Sequence, residues 1–274
     1  MAGNMSQIPA RPIAIFDSGV GGLTVVAALT RLLPNEAIVY LGDTARLPYG
    51  TKSPQVVCHY AARCAAFLLE HGPKLLVVAC NTASAHALAA LRASLPVPVL
   101  GVIGPGASQA ARRSPNGRIG VIATEGTIDS GSYQRALAQL APGASVYPAA
   151  CPLLVPLAEE GLTEHPATEL LARDYLAPLL AAQIDSLVLG CTHYPLLQPL
   201  LQRLVGTGVH IIDSASAVAV AVAAQLTETG QLASRRRTAD AFYATDVGAR
   251  LQRVGSLFMG QQLPPVTWVD LKGH

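Results

Sequence analysis

A chain of 274 residues is too long for one small module and suits one large domain or two of ordinary size. With 51% hydrophobic residues and only 13% charged, against roughly 25% charged in soluble domains at large, it can build a packed core and is not disordered. The net charge of +2 is dispersed apart from the run Arg235, Arg236, Arg237, which reads as a solvated loop; this excludes a nucleic-acid footprint and leaves a small molecule as the expected partner.

Along the chain, short apolar runs alternate with Ala- and Leu-rich segments of helical length, the pattern of βαβ units around a parallel sheet. Strands are predicted at PIAIF (12–16), AIVYL (37–41), LLVVA (75–79), VPVLGV (97–102), RIGVI (118–122), SLVLG (186–190) and VHII (209–212), each before a polar loop. Helices are predicted over 22–33, 54–71, 83–94, 129–140, 166–181, 196–205 and 215–228, with Asp129, Ser130 and Ser214 offering N-cap oxygens. DAFYATD and PPVTWVD read as late strands around a helix from 247 to 258. Continuous apolar runs suit parallel strands covered on both faces, whose ligands bind beyond the carboxyl ends. Function therefore belongs in the loops that follow the strands.

An internal echo divides the chain. LLVVACNTAS (75–84) and SLVLGCTHYP (186–195) both run from a buried strand through a Cys-polar-polar loop into a helix, and PIAIFDSGVGGLTV (12–25) is echoed more faintly by RIGVIATEGTIDS (118–130). The fold class is α/β: two similar domains, each a mostly parallel sheet flanked by helices, with the active site in the cleft between them. The first domain is 1–104 together with 213–274 and the second is 105–212, with GVIGPG around Gly104 as the crossover.

No apolar stretch reaches the roughly 18 residues of a membrane span. MAGNMSQIPAR lacks both a basic start and an apolar stretch, so no secretion signal is expected and the compartment reads as cytoplasmic. Five cysteines, Cys58, Cys64, Cys80, Cys151 and Cys191, are an odd number without a CxxC pair, which speaks against a disulfide framework and a zinc ribbon. Cys58, Cys64 and Cys151 read as small core hydrophobes.

Cys80 and Cys191 differ because each directly follows a buried strand and is flanked by polar residues, Asn81 and Thr82 in one loop and Thr192 and His193 in the other. Two thiols on opposed loops allow a disulfide, nucleophilic catalysis by one Cys-His pair, or two-base proton transfer at a stereocentre. In the last case each sulfur stands about 3 to 3.5 Å from the carbon and the two about 7 Å apart. A thiol is only a few per cent ionised at pH 7, so one is expected to be lowered by about 1.5 units, by a cationic His193 or a helix N-terminus. Asp17, after the first strand, is either an acid/base partner for the other thiol, an anchor for a ligand ammonium, or an N-cap. GVGGLT (19–24) lacks the complete dinucleotide or P-loop pattern, but its backbone N–H groups, like those of PYG (48–50), suit a substrate carboxylate. No motif for metal or serine-hydrolase chemistry stands out.

FDSGVGGLTV (16–25), LGDTARLPYG (41–50), ACNTAS (79–84), CPLLVPLAEEG (151–161) and LGCTHYPLL (189–197), in this order, resemble the cofactor-independent glutamate racemases, and FYATD with the later LFMG resembles that family's C-terminal segment. The resemblance implies two α/β domains enclosing glutamate, no cofactor, no metal, supply of D-glutamate to peptidoglycan, and a homodimer whose interface is not legible. By motif position it implies that Cys80 takes the α-proton from D-glutamate and Cys191 that from L-glutamate. Asp17 and His193 would assist their respective thiols, and Glu159 would support His193. Asp17, Ser18, Pro48, Tyr49, Gly50, Asn81, Thr82, Thr124, Thr192 and His193 would hold the substrate. The chain departs from the pattern in an N-terminal extension of about ten residues and in Gly104, where members of that family often carry a bulkier polar residue. The alternatives are an aspartate or hydantoin racemase with the same two thiols, a non-catalytic amino-acid-binding protein, and a zinc or redox site on Cys191 and His193.

Overall fold

The computed structural model describes residues 11–236 and 238–271, so the N-terminal extension, the leader reading made on it and Arg237 lie outside the described residues. The chain opens with β1 (Ile13–Asp17), α1 (Leu23–Leu32), β2 (Ile38–Gly42), a 3₁₀ turn at Tyr49–Thr51, α2 (Pro54–Leu69), β3 (Leu75–Val78), α3 (Asn81–His86), α4 (Leu88–Ser94) and β4 (Val99–Gly101). It continues with α5 (Ile103–Arg113), β5 (Arg118–Ala123), α6 (Glu125–Asp129), α7 (Ser132–Leu140), β6 (Ser145–Ala150), α8 (Leu154–Glu159), α9 (Pro166–Ala181) and β7 (Ser186–Gly190). A 3₁₀ turn at Tyr194–Leu197 leads into α10 (Gln198–Val205), β8 (His210–Asp213), α11 (Ser214–Glu228), β9 (Ala241–Ala244), α12 (Ala249–Met259) and β10 (Val266–Trp268).

The strands form two sheets, one of order β10-β9-β2-β1-β3-β4 and one of order β6-β5-β7-β8, and every pairing among the described residues is parallel. The apolar runs explain this. β1, β2, β3 and β7 are buried at every position, which only helices on both faces allow. The fold is α/β as expected, with the late strands β9 and β10 returning to the first sheet beside β2.

The order of strand addition reverses at β1, which lies between β2 and β3, and again at β5, which lies between β6 and β7. Open parallel sheets bind ligands at such switch points, outside the carboxyl ends of the strands. Asp17 ends β1 and Cys80 follows β3, while Thr124 follows β5 and Cys191 follows β7, so each sheet puts its polar loops at its own crevice.

Several local expectations are corrected. GVIGPG is helical where a loop was expected: Gly101 ends β4, and Gly104, Pro105 and Gly106 lie in the first turn of α5, where a proline is tolerated because its missing N–H has no helical partner. The single helix predicted over 129–140 is two, separated by Gly131 at φ 63°, a left-handed conformation that glycine adopts without strain. Asp129 thus ends α6 instead of capping, and Ser130 Oγ accepts from Ser132 N at 3.1 Å. Ser214 is the first residue of α11; the cap is Asp213, whose carboxylate accepts from the amides of Ala215 and Ser216. The helix predicted over 83–94 starts earlier and divides at Ala87, and α8 and β6 were not foreseen. β6 is partly exposed at every position and lies at an edge, so it lacks the apolar run that marked the other strands.

Candidate active site

Cys80 is the N-cap of α3, with Sγ accepting from Ala83 N at 3.4 Å, and Cys191 stands one residue past β7. Both line a single cavity of about 280 Å³ together with Ser18, Gly19, Leu47, Pro48, Tyr49, Gly50, Asn81, Thr82, Thr124, Val155, Pro156, Glu159, Gly190, Thr192 and His193. With exposures of 6% and 7% the two thiols are buried yet open on a common space. The charge of Cys191 also acts on Cys80, raising its pKa.

Around Cys191 the groups form a chain. His193 Nδ1 lies 3.7 Å from Cys191 Sγ, and its Nε2 bonds Glu159 Oε1 at 3.0 Å. The other Glu159 oxygen pairs with Arg250 Nη2 of α12 at 3.0 Å. Burial opposes a charged imidazole, but the bonds and charges of Cys191 and Glu159 outweigh it and push His193 up to about 10. Burial also opposes the Glu159 carboxylate, and its bonds to His193 and Arg250 nonetheless hold it below the usual range. His193 is therefore cationic at neutral pH, as a partner for a thiolate must be.

Cys80 is the thiol without a cation beside it. Burial, then the negative charge of Asp17, push it up to about 12, and the Ala83 amide and Ser18 hydroxyl only partly offset them. Without a cation in the cavity it stays protonated. Asp17 is fully buried and does not line the cavity; its Oδ2 accepts from Gly19 N at 3.0 Å and its Oδ1 has no partner. Burial raises its pKa against the pull of His193 and of the Gly22, Gly19 and Ser18 amides. It is not an N-cap, since Gly22 holds that position before α1.

The remaining residues divide by how their polar atoms are used. Thr82 Oγ1 lies 3.0 Å from Thr124 Oγ1 and 3.1 Å from Thr127 Oγ1, joining the loops after β3 and β5. Tyr49 turns its hydroxyl away from the cavity to donate to buried Asp43 at 2.6 Å, so it offers ring and backbone rather than a free hydroxyl. Asn81 keeps a buried, unpartnered Nδ2. Within GVGGLT only Gly19 lines the cavity, so most of that loop's amides do not face it. A Cβ on Gly21 would sit 2.2 Å from Thr192 Oγ1 and 2.6 Å from His193 Nδ1, so that glycine is required by close packing.

Leu47, Val155, Pro156 and Gly190 also line the cavity; no role was assigned to them, although they lie within the segments LGDTARLPYG, CPLLVPLAEEG and LGCTHYPLL. Of the cysteines read as core hydrophobes, Cys64 and Cys151 are buried, whereas Cys58 is half-buried and its Sγ donates to His86 O at 3.2 Å. Among the described residues no helix is long and apolar enough to cross a membrane.

The family described as Asp/Glu/Hydantoin racemase matches residues 22–222. The glutamate racemase of Syntrophus aciditrophicus is 48% identical over 270 residues, spanning 98% of this chain and 100% of that protein. Among solved structures, glutamate racemase isoform RacE1 of Bacillus anthracis has a TM-score of 0.92 at 40% identity, covering 95% of this chain and 98% of the other. The glutamate racemase of Francisella tularensis, solved in complex with D-glutamate, has a TM-score of 0.91 at 36% identity, covering 97% and 99%. With two parallel sheets, a shared two-thiol cavity and these relatives, the chain belongs to the Asp/Glu/Hydantoin racemase family and is a racemase, an isomerase.

Proposed function

We propose that this racemase interconverts L- and D-glutamate by moving the α-proton between two thiols on opposite faces of one carbon, without a cofactor. The observation that carries the reading is the cavity shared by Cys80 and Cys191, whose volume of about 280 Å³ suits a ligand of amino-acid size. From L-glutamate, the Cys191 thiolate, paired with cationic His193, removes the α-proton and becomes a thiol. The C–H electron pair remains on Cα and spreads into the α-carboxylate, which Asn81 helps to bind in the ground and transition states alike. The Cys80 thiol then delivers its proton to the opposite face and is left as the thiolate. In the reverse direction Cys80 must ionise first. The substrate ammonium, bound near Cys80, supplies a positive charge that favours its thiolate.

Asp17 assists Cys80 from behind, Glu159 holds His193, and Ser18, Pro48, Tyr49, Gly50, Thr82, Thr124 and Thr192 surround the substrate. The same reading divides the chain into a domain of 1–104 with 213–274 and one of 105–212. It makes the protein a cytoplasmic homodimer that supplies D-glutamate for peptidoglycan. Incubation of either enantiomer in D₂O without additives should bring both to equal amounts with deuterium at Cα. Inversion that depends on added pyridoxal phosphate, or a higher kcat/KM for aspartate than for glutamate, would overturn it.

A further inference from the structure

Asn81 is a substrate residue in the reading above, and its usefulness depends on which end of its amide faces the cavity. Three buried groups bear on that choice. Ser214 Oγ lies 2.7 Å from the Leu189 carbonyl, which can only accept, so the serine proton is committed there. The Tyr133 hydroxyl lies 3.2 Å from Ser214 Oγ and 2.8 Å from Asn81 Oδ1, and it has one proton to give. If that proton went to Ser214, the amide would have to present Nδ2 to the tyrosine and turn its carbonyl to the cavity. If it goes to Asn81, the carbonyl is held and Nδ2 is the end left over, buried and without a protein partner on a residue that lines the cavity.

We infer that Tyr133 is a positioning residue that gives its proton to Asn81 Oδ1 and so locks the Asn81 amide with its N–H donors toward a substrate carboxylate. The shorter contact favours this arrangement, and the unpartnered Nδ2 is the donor it leaves over. Burial holds the phenol well above its ordinary pKa, so the proton is present at every working pH. The device also spans the molecule: Asn81 begins α3 beside the first sheet, while Tyr133 lies on α7 and Ser214 opens α11 beside the second. Carboxylate capture at Asn81 is thereby tied to the relative placement of the two sheets.

The inference rests on glutamate being the substrate, and the test separates the two. Steady-state kinetics on L-glutamate are compared for the wild type, Tyr133→Phe, Asn81→Ala and the double variant, with thermal melts on each. Tyr133→Phe keeps the ring and frees the amide to turn; it is expected to raise KM about 10-fold while kcat changes less than 3-fold. In the Asn81→Ala background the same change should leave KM unaltered, because nothing remains to be oriented. An unchanged KM in Tyr133→Phe, or equal effects in both backgrounds, overturns the positioning role, even where the melts show lost stability. A wild type that fails to racemise glutamate overturns the functional reading instead.

Discussion

At the scale of single residues, the site separates two cysteines that look alike in sequence. Cys191 has a cation beside it, His193, kept charged by Glu159, whereas Cys80 is raised to about 12 by burial and by Asp17. Replacing either by serine should cut racemisation about 10³-fold or more, in line with loss of an acid/base group, while glutamate still binds. Cys80→Ser with L-glutamate in D₂O should still exchange the α-proton through Cys191 without inversion, as followed by proton NMR and chiral chromatography. Unchanged turnover in either variant would refute the two-thiol mechanism. His193 also makes stability depend on pH. Its folded pKa of about 10 exceeds the ordinary 6.5, so the folded state holds an extra proton in that window. That contribution is complete below about 6.5 and is lost as pH rises through about 10. In Glu159→Gln a main support of the shift is gone, so urea midpoints measured from pH 6 to 10 should fall less steeply than in the wild type; equal slopes would disprove the coupling.

At the scale of elements, the loop after β1 and the loop after β7 are fitted to each other. Gly21 packs on Thr192 and His193, and Thr24 Oγ1 lies 3.2 Å from the Thr192 carbonyl. Gly21→Ala therefore pushes the Cys191 loop, and displacement of a reacting group by about 1 Å can cost 10²-fold. We expect a kcat/KM fall of that order with the circular-dichroism spectrum preserved; full activity would show that the loops have room to give. The start of α11 offers a stability counterpart. Asp213 satisfies the Ala215 and Ser216 amides and the Ser216 hydroxyl, so Asp213→Ala should cost about 1 kcal/mol in denaturant unfolding.

At the scale of the molecule, the chain must leave the second sheet and return to the first. Buried Lys74 and Glu36 form an ion pair at 2.5 Å; Lys74 also bonds the Gln231 carbonyl, and Glu36 accepts from Ala233 N. The pair thus anchors the segment that returns from α11 to β9. Lys74→Met leaves Glu36 buried without a cation and should lower stability by about 3–5 kcal/mol. Adding Glu36→Leu should restore much of it, since a buried pair often exchanges for apolar packing at little net cost. A double variant as unstable as the single one would argue against the ion pair as the cause.

The amino-acid sequence by itself determined the α/β class, most of the strands and the two polar Cys loops. A strand buried on both faces must be apolar throughout, and the residues that follow it must be polar if they meet a ligand. It also marked His193 by its place two residues beyond Cys191, whereas Glu159 came only from the resemblance to the racemase motifs. It did not determine β6, which is half-exposed, nor the breaks at Ala87 and Gly131, where a local conformation interrupts good helical sequence. Only the tertiary structure decided which way each polar atom turns. Tyr49 gives its hydroxyl to Asp43, Asp17 lies behind the cavity wall, and Tyr133 reaches Asn81 from far along the chain. Those outcomes depend on protons and distances between segments that only packing brings together, and no spacing along a chain encodes them directly.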